Sequence, residues 1–95
     1  MKVCFTAPAL ADLNDILSYI AARSPRGAQK VKSRVRYLIE LLPAHPLLGT
    51  RTDEPGIRRL IATPYPYLIF YEAGNDEIII HAVRHAARDP ESMPG

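Results

Sequence analysis

The chain has 95 residues, 47% hydrophobic and 23% charged, the balance of a soluble globular protein with room for one domain and a modest core. No apolar run approaches the roughly 20 residues of a membrane span, and Asp12 and Asp15 stand where a secretory signal is still apolar. The expectation is a cytoplasmic protein with a single domain over residues 1–95, ending in a short tail at 90–95.

The formal net charge is only +2, and the one cysteine, Cys4, has no disulfide partner and no Cys or His at metal-ligand spacing. That fits a reducing compartment and a structural thiol.

In chain order, "KVCFT" (2–6) is short, β-branched and aromatic, and predicts a strand. In "APALADLNDILSYIAARS" (7–24), Leu10, Leu13, Leu17 and Ile20 recur at helical spacing and Ile16 widens their stripe, so an amphipathic helix follows. It stops at "SPRG". There Ser24 can accept from free backbone N–H groups as an N-cap, and Pro25 brings a preset φ to the first position of a second helix. Ala28, Val31, Val35, Leu38 and Leu42 give that helix its apolar face, and Pro43 ends its ladder. Two helices joined this tightly predict an antiparallel hairpin. Arg23, Arg26, Lys30, Lys32, Arg34 and Arg36 carry no acid among them. This stripe is either a solvated helix face or a local field that attracts phosphates or an acidic protein segment.

Residues 44–56, "AHPLLGTRTDEPG", have no period and predict a long surface loop, of the kind that is often functional in small domains. Three strands are predicted next: "IRRLIA" (57–62), "YLIFYE" (67–72) and "EIIIHAVRH" (77–85). "AGND" makes a hairpin of the last two, and "TPYP" suits a turn between the first two. The order β-α-α-β-β-β predicts an α+β fold, an antiparallel sheet with the N-terminal helical hairpin packed on one face.

Strand alternation places Ile78, Ile80, Ala82 and Arg84 on one face of the last strand and Ile79, His81, Val83 and His85 on the other. Both faces are mostly apolar, as suits a strand covered by helices on one side and by a partner on the other. In "IRRLIA", Arg58 goes with Leu60 and Ala62, and Arg59 with Ile57 and Ile61. One of the two must therefore point away from solvent or toward the uncovered face, and is expected to meet a carboxylate, a phosphate or an acidic partner.

"AVRHAARDP" (82–90) then packs Arg84, His85 and Arg88 into a strand end. They either bind or transform something anionic or are ordinary solvated groups, His85 then serving as a cap for loose backbone groups. His81 reads as a satisfied, partly buried histidine, and Tyr65, Tyr67 and Tyr71 as packing residues. His45, His81 and His85 make no metal-ligand set with carboxylates, and no Gly-rich phosphate loop is present, so neither metal nor cofactor is expected.

Taken together, "FTAPALADLNDILSYIAARSPRGA", "LLPAHPLLGTRTDEPGIRRL", "YPYLIFYE" and "IIIHAVRHAARDP" resemble the RelE/ParE family of bacterial toxins from type II toxin–antitoxin modules. The likeness covers about residues 5–90. It rests on an ordered set: the Ala-x-x-Asp-Leu-x-x-Ile-x-x-Tyr-Ile-Ala helix, the Pro-x-x-Gly loop, the Gly-Ile-Arg strand and the closing His-x-x-Arg-Asp. The resemblance implies a growth-inhibiting toxin that forms a hetero-oligomer with a small cognate antitoxin. The apolar residues on both strand faces and the Arg-rich stripe lead to the expectation that an acidic helical C-terminal segment of that antitoxin folds across the hairpin and the sheet.

Members resembling RelE cut messenger RNA on the ribosome, and members resembling ParE poison DNA gyrase. RNA cleavage needs a proton acceptor, cations for the transition state and a proton donor; Arg59, Arg84 and Arg88 would supply charge and His85 protons. The chain has no lysine after Lys32 and no tyrosine after Tyr71, where RelE-like nucleases generally carry lysines in the middle strands and often a C-terminal tyrosine. The expectation is therefore ParE-like gyrase poisoning through a surface of Arg58, Arg59, Arg84, His85 and Arg88. Ribosome-dependent mRNA cleavage is the alternative, and a pure binding module without toxicity a third reading.

Overall fold

The first strand, β1 (Lys2–Phe5), ends one residue sooner than its sequence suggests, because Thr6 caps the helix that follows. Its hydroxyl accepts from the Ala9 amide at 3.1 Å. These features belong to a computed structural model that describes residues 1–88, the Arg88 side chain excepted; the tail expected at 90–95 lies outside the described residues.

Helices α1 (Ala7–Arg23) and α2 (Pro25–Leu41) share one residue as their boundary. The Ser24 amide closes α1 on the Ile20 carbonyl at 2.7 Å, and its hydroxyl accepts from the Gly27 amide at 3.0 Å to open α2. Pro25 follows at the position where a missing N–H costs nothing. The hairpin packs Ala9, Leu13, Ile16, Leu17 and Ile20 of α1 and Val31, Val35, Leu38 and Ile39 of α2 onto the sheet. Leu10 is 48% exposed; one residue from Ala9 is about 100° around the helix, so only one of them can face the core.

The remaining strands are β2 (Thr50–Arg51), β3 (Ile57–Ile61), β4 (Tyr67–Ala73) and β5 (Glu77–His85), followed by a 3-10 turn at Ala86–Arg88. The five strands form one sheet in the order β1-β5-β4-β3-β2. Pairs β2–β3, β3–β4 and β4–β5 are antiparallel, as their short turns require. Strand β1, however, runs parallel to β5, with Lys2 opposite Glu77 and Phe5 opposite Ile80, so the sheet is mixed rather than antiparallel throughout. The short β2, inside the stretch expected as loop, accounts for this: it adds one reversal before β3, which brings β5 into the direction of β1.

Between helices and sheet, Ile69, Tyr71, Ile78 and Ile80 are fully buried. Burying an aliphatic side chain of this size contributes roughly 1.5–3 kcal/mol. Tyr71 also fixes the loop ahead of β2, since its hydroxyl donates to the Pro46 carbonyl and accepts from the Gly49 amide, both at 2.8 Å. No helix among the described residues is long and apolar enough to cross a membrane.

Candidate functional site

A bulge in β5 decides which way its last side chains point. Tyr71 lies opposite Ile80 and Phe70 opposite Ala82, so His81 is the extra residue. The first helix and its cap supply partners there: the Thr6 hydroxyl donates to the His81 carbonyl at 3.3 Å, and the Val83 amide donates to the Asp12 carboxylate at 3.2 Å. Beyond the bulge the alternation is reversed. Val83 now shares the helix-covered face with Ile78 and Ile80, while Ala82 packs on the other face with Leu68 and Phe70. Strict alternation had put Arg84 with Ile78 and Ile80, and His85 with Ile79 and His81.

The helix-free face therefore carries Leu68, Phe70 and Ala82, with Ile57 packed against them. Arg84 is exposed and its guanidinium lies 5.6 Å from the Phe70 ring centroid, an attraction of about 0.5–1 kcal/mol at an open site. Arg59 stands opposite Phe70 in the β3–β4 register, on the same face. A cleft of about 180 Å³ runs between Glu54, Ile57, Phe70, His81 and Arg84. Inside it His81 Nε2 is 2.9 Å from Glu72 Oε1, a satisfied, half-exposed pair.

The other cations of the expected surface are placed differently. His85 meets the Tyr67 ring edge-on at 5.4 Å and accepts from the Ala87 amide at Nδ1, 3.1 Å away, the strand-end cap that its sequence position allowed. Arg58 shares a face with Tyr71, and its Nη1 donates to the Gly49 carbonyl at 2.8 Å. Its partner is thus a backbone carbonyl. Arg88 belongs to the 3-10 turn, and its side chain lies outside the described residues. Arg59 and Arg84 share the helix-free face; Arg58 and His85 lie on the other. Phe70 was missed as a member of the surface, although Leu68, Phe70 and Glu72 alternate in "YLIFYE" as one face.

A second surface lies beside the edge strand β1, where Val3, Phe5, Leu13, Val35 and Ile39 line an apolar groove of about 360 Å³ with Lys32 and Arg36 at its rim. At the same edge the Cys4 thiol donates to Glu77 Oε2 at 3.4 Å, and this hydrogen bond to a carboxylate, with burial and the negative charge adding to it, pushes the thiol above its ordinary pKa. Such a thiol is a poor nucleophile. Among the described residues no group of three or more His, Cys, Asp or Glu is placed to hold a metal ion.

Residues 3–90 match the family model described as the ParE toxin of the type II toxin–antitoxin system parDE. The chain is 37% identical over 87 residues to the toxin RelE2 of Caulobacter vibrioides, covering 92% of this chain and 97% of that one. It is 29% identical over 85 residues to the putative toxin Y4kP of Sinorhizobium fredii, covering 90% and 88%. Among solved structures, one from the chromosomal ParDE system of P. aeruginosa superposes with a TM-score of 0.78 at 24% identity, over 90% of this chain and 95% of that chain. A chain of the E. coli DinJ–YafQ toxin–antitoxin complex superposes with a TM-score of 0.61 at 14% identity, over 90% of this chain and 91% of that chain.

Proposed function

The chain belongs to the ParE toxin family of type II toxin–antitoxin systems, and on that premise we propose that it arrests growth by binding and poisoning DNA gyrase through the helix-free sheet face. One observation carries the reading. On that face Arg84 is separated by the thickness of the sheet from His85, the proton-transfer group expected beside it. Around Arg84 the face presents Phe70, Leu68, Ala82 and Ile57, an arginine and an aromatic ring among aliphatic side chains as in a protein-binding hot spot, with the His81–Glu72 pair beside them. The cytoplasm, where gyrase works, is the corresponding location. Gyrase supercoiling in the presence of the purified chain and of its Arg84→Ala variant tests the assignment.

A second reading has one observation in its favour. His81, oriented by Glu72, shares a cleft with Arg84, so a general base and a phosphate-binding cation coexist there, as ribosome-dependent cleavage of messenger RNA requires. Glu54 also lines that cleft, and a carboxylate there opposes the entry of a phosphate, which favours the first reading.

The groove beside β1 is assigned to an antitoxin, in keeping with the toxin–antitoxin complex formed by YafQ and DinJ. Its aliphatic floor suits the apolar stripe of an amphipathic helix, and Lys32, with Arg36 once it leaves its exposed pair with Glu40 of the same groove (3.6 Å), suits acidic residues on the flanks of that helix.

A further inference from the structure

The basic stripe of α2 serves two grooves. Lys32 and Arg36 border the apolar groove at β1, whereas Arg26, Lys30 and Arg34 turn to another, of about 570 Å³, between α2 and the turn at 62–66. We propose that this second groove binds single-stranded nucleic acid, a property that does not depend on which target the toxin poisons.

The three cations are four residues apart, so they recur about every 6 Å along the helix, a row of positive charge suited to a phosphodiester backbone. Arg34 is held in place from two sides. Its Nε donates to the Thr63 carbonyl at 2.7 Å and its guanidinium lies 5.5 Å from the Tyr37 ring centroid. One edge of the fork is thereby fixed, leaving the outer N–H groups for a bidentate phosphate contact. Tyr37 is 53% exposed, and Tyr65 lines the same groove from the turn; both rings are platforms on which unpaired bases can stack.

The lining also argues against an acidic peptide helix. Among the described residues it contains no acid and no Leu, Ile, Val or Met, so an amphipathic helix would find charge but no aliphatic floor, unlike at β1. Duplex nucleic acid would satisfy the cations but leave the rings without bases to stack on.

The purified full chain would be titrated by fluorescence anisotropy against a labelled oligodeoxynucleotide of about twelve nucleotides, against the same sequence as a duplex, and against an oligoglutamate peptide. The single strand should bind best, with a log–log salt slope near −2, from about −0.7 for each of the neutralised phosphates. The double variant Arg26→Glu/Lys30→Glu should weaken it at least about tenfold and flatten the slope, and Tyr37→Ala should weaken the single strand while sparing any duplex binding. Circular dichroism melts of the variants show that they are folded; the wild-type arms stand even if a variant is not. Absence of single-strand binding, tighter binding of the duplex or the peptide, or folded variants that bind as the parent does would each overturn the proposal.

Discussion

Arg84 and His85 are adjacent in the chain but leave β5 through opposite faces: one lies over the Phe70 ring at 5.6 Å, the other meets the Tyr67 ring at 5.4 Å. Their separation makes their roles separable by mutation. Arg84→Ala should abolish growth inhibition while changing stability by no more than about 1 kcal/mol, the lost cation–π contact included. His85→Gln should remain toxic at equal expression. A His85→Gln chain that has lost toxicity without losing its fold would return the proton-transfer role to this residue.

Gly49 is confined by the group that it binds. A Cβ there would stand 2.7 Å from the Arg59 carbonyl oxygen and 2.8 Å from Tyr71 Cε1, neither of which is the free end of a flexible side chain. Gly49→Ala should therefore destabilise the chain by about 1–3 kcal/mol. Tyr71→Phe, which leaves the Gly49 amide and Pro46 carbonyl without that hydroxyl, should cost a similar 1–3 kcal/mol or so. Denaturant midpoints at unchanged slope measure both, and two unaltered midpoints would contradict this account of the loop.

For Cys4 the prediction concerns pH. Because Glu77 holds the folded thiol's pKa above its ordinary value, alkylation by iodoacetamide should reach half its maximal rate at a higher pH in the native chain than in the chain unfolded in denaturant, and Glu77→Gln should lower that midpoint. The sign for stability follows: the thiol's contribution is fully present below the unfolded pKa and is lost as pH rises through the folded one. A native midpoint at or below the unfolded one would contradict it.

The antitoxin groove predicts a different pattern. Lys32→Glu with Arg36→Glu should weaken binding of the antitoxin about tenfold or more, mainly through a slower association rate, whereas Arg84→Ala should leave it unchanged. Surface plasmon resonance against the antitoxin reads both rates. Equal loss in the two variants would mean that the antitoxin covers the toxic face instead.

Much of the fold was legible where local chemistry fixes it. The boundary at Ser24 and Pro25, the bounds of β5 and the "AGND" turn all follow from residues within a few positions of one another. What was not legible depends on contacts distant in sequence. The bulge at His81 is accompanied by contacts from Thr6 and Asp12, more than sixty residues away, and nothing in "EIIIHAVRH" announces it. One unmarked extra residue turns every later side chain over, so period-two reading failed for Arg84 and His85. The two-residue β2, too short to carry a pattern, likewise hid the parallel pairing of β1. Arg59 on β3 and Arg84 on β5 still share one face, on either side of β4 and its Phe70, which the sequence marks only as one position of an apolar strand.

The central claim is that this toxin acts on gyrase by binding, and one paired assay tests it most directly. The purified chain is added to a gyrase supercoiling reaction and, separately, to ribosomes translating a defined message, with Arg84→Ala and His81→Gln alongside. The account predicts blocked supercoiling with accumulation of cleaved DNA, loss of that effect in Arg84→Ala but not in His81→Gln, and an intact message. A cut message with untouched supercoiling, abolished by His81→Gln, would contradict it and establish cleavage in its place.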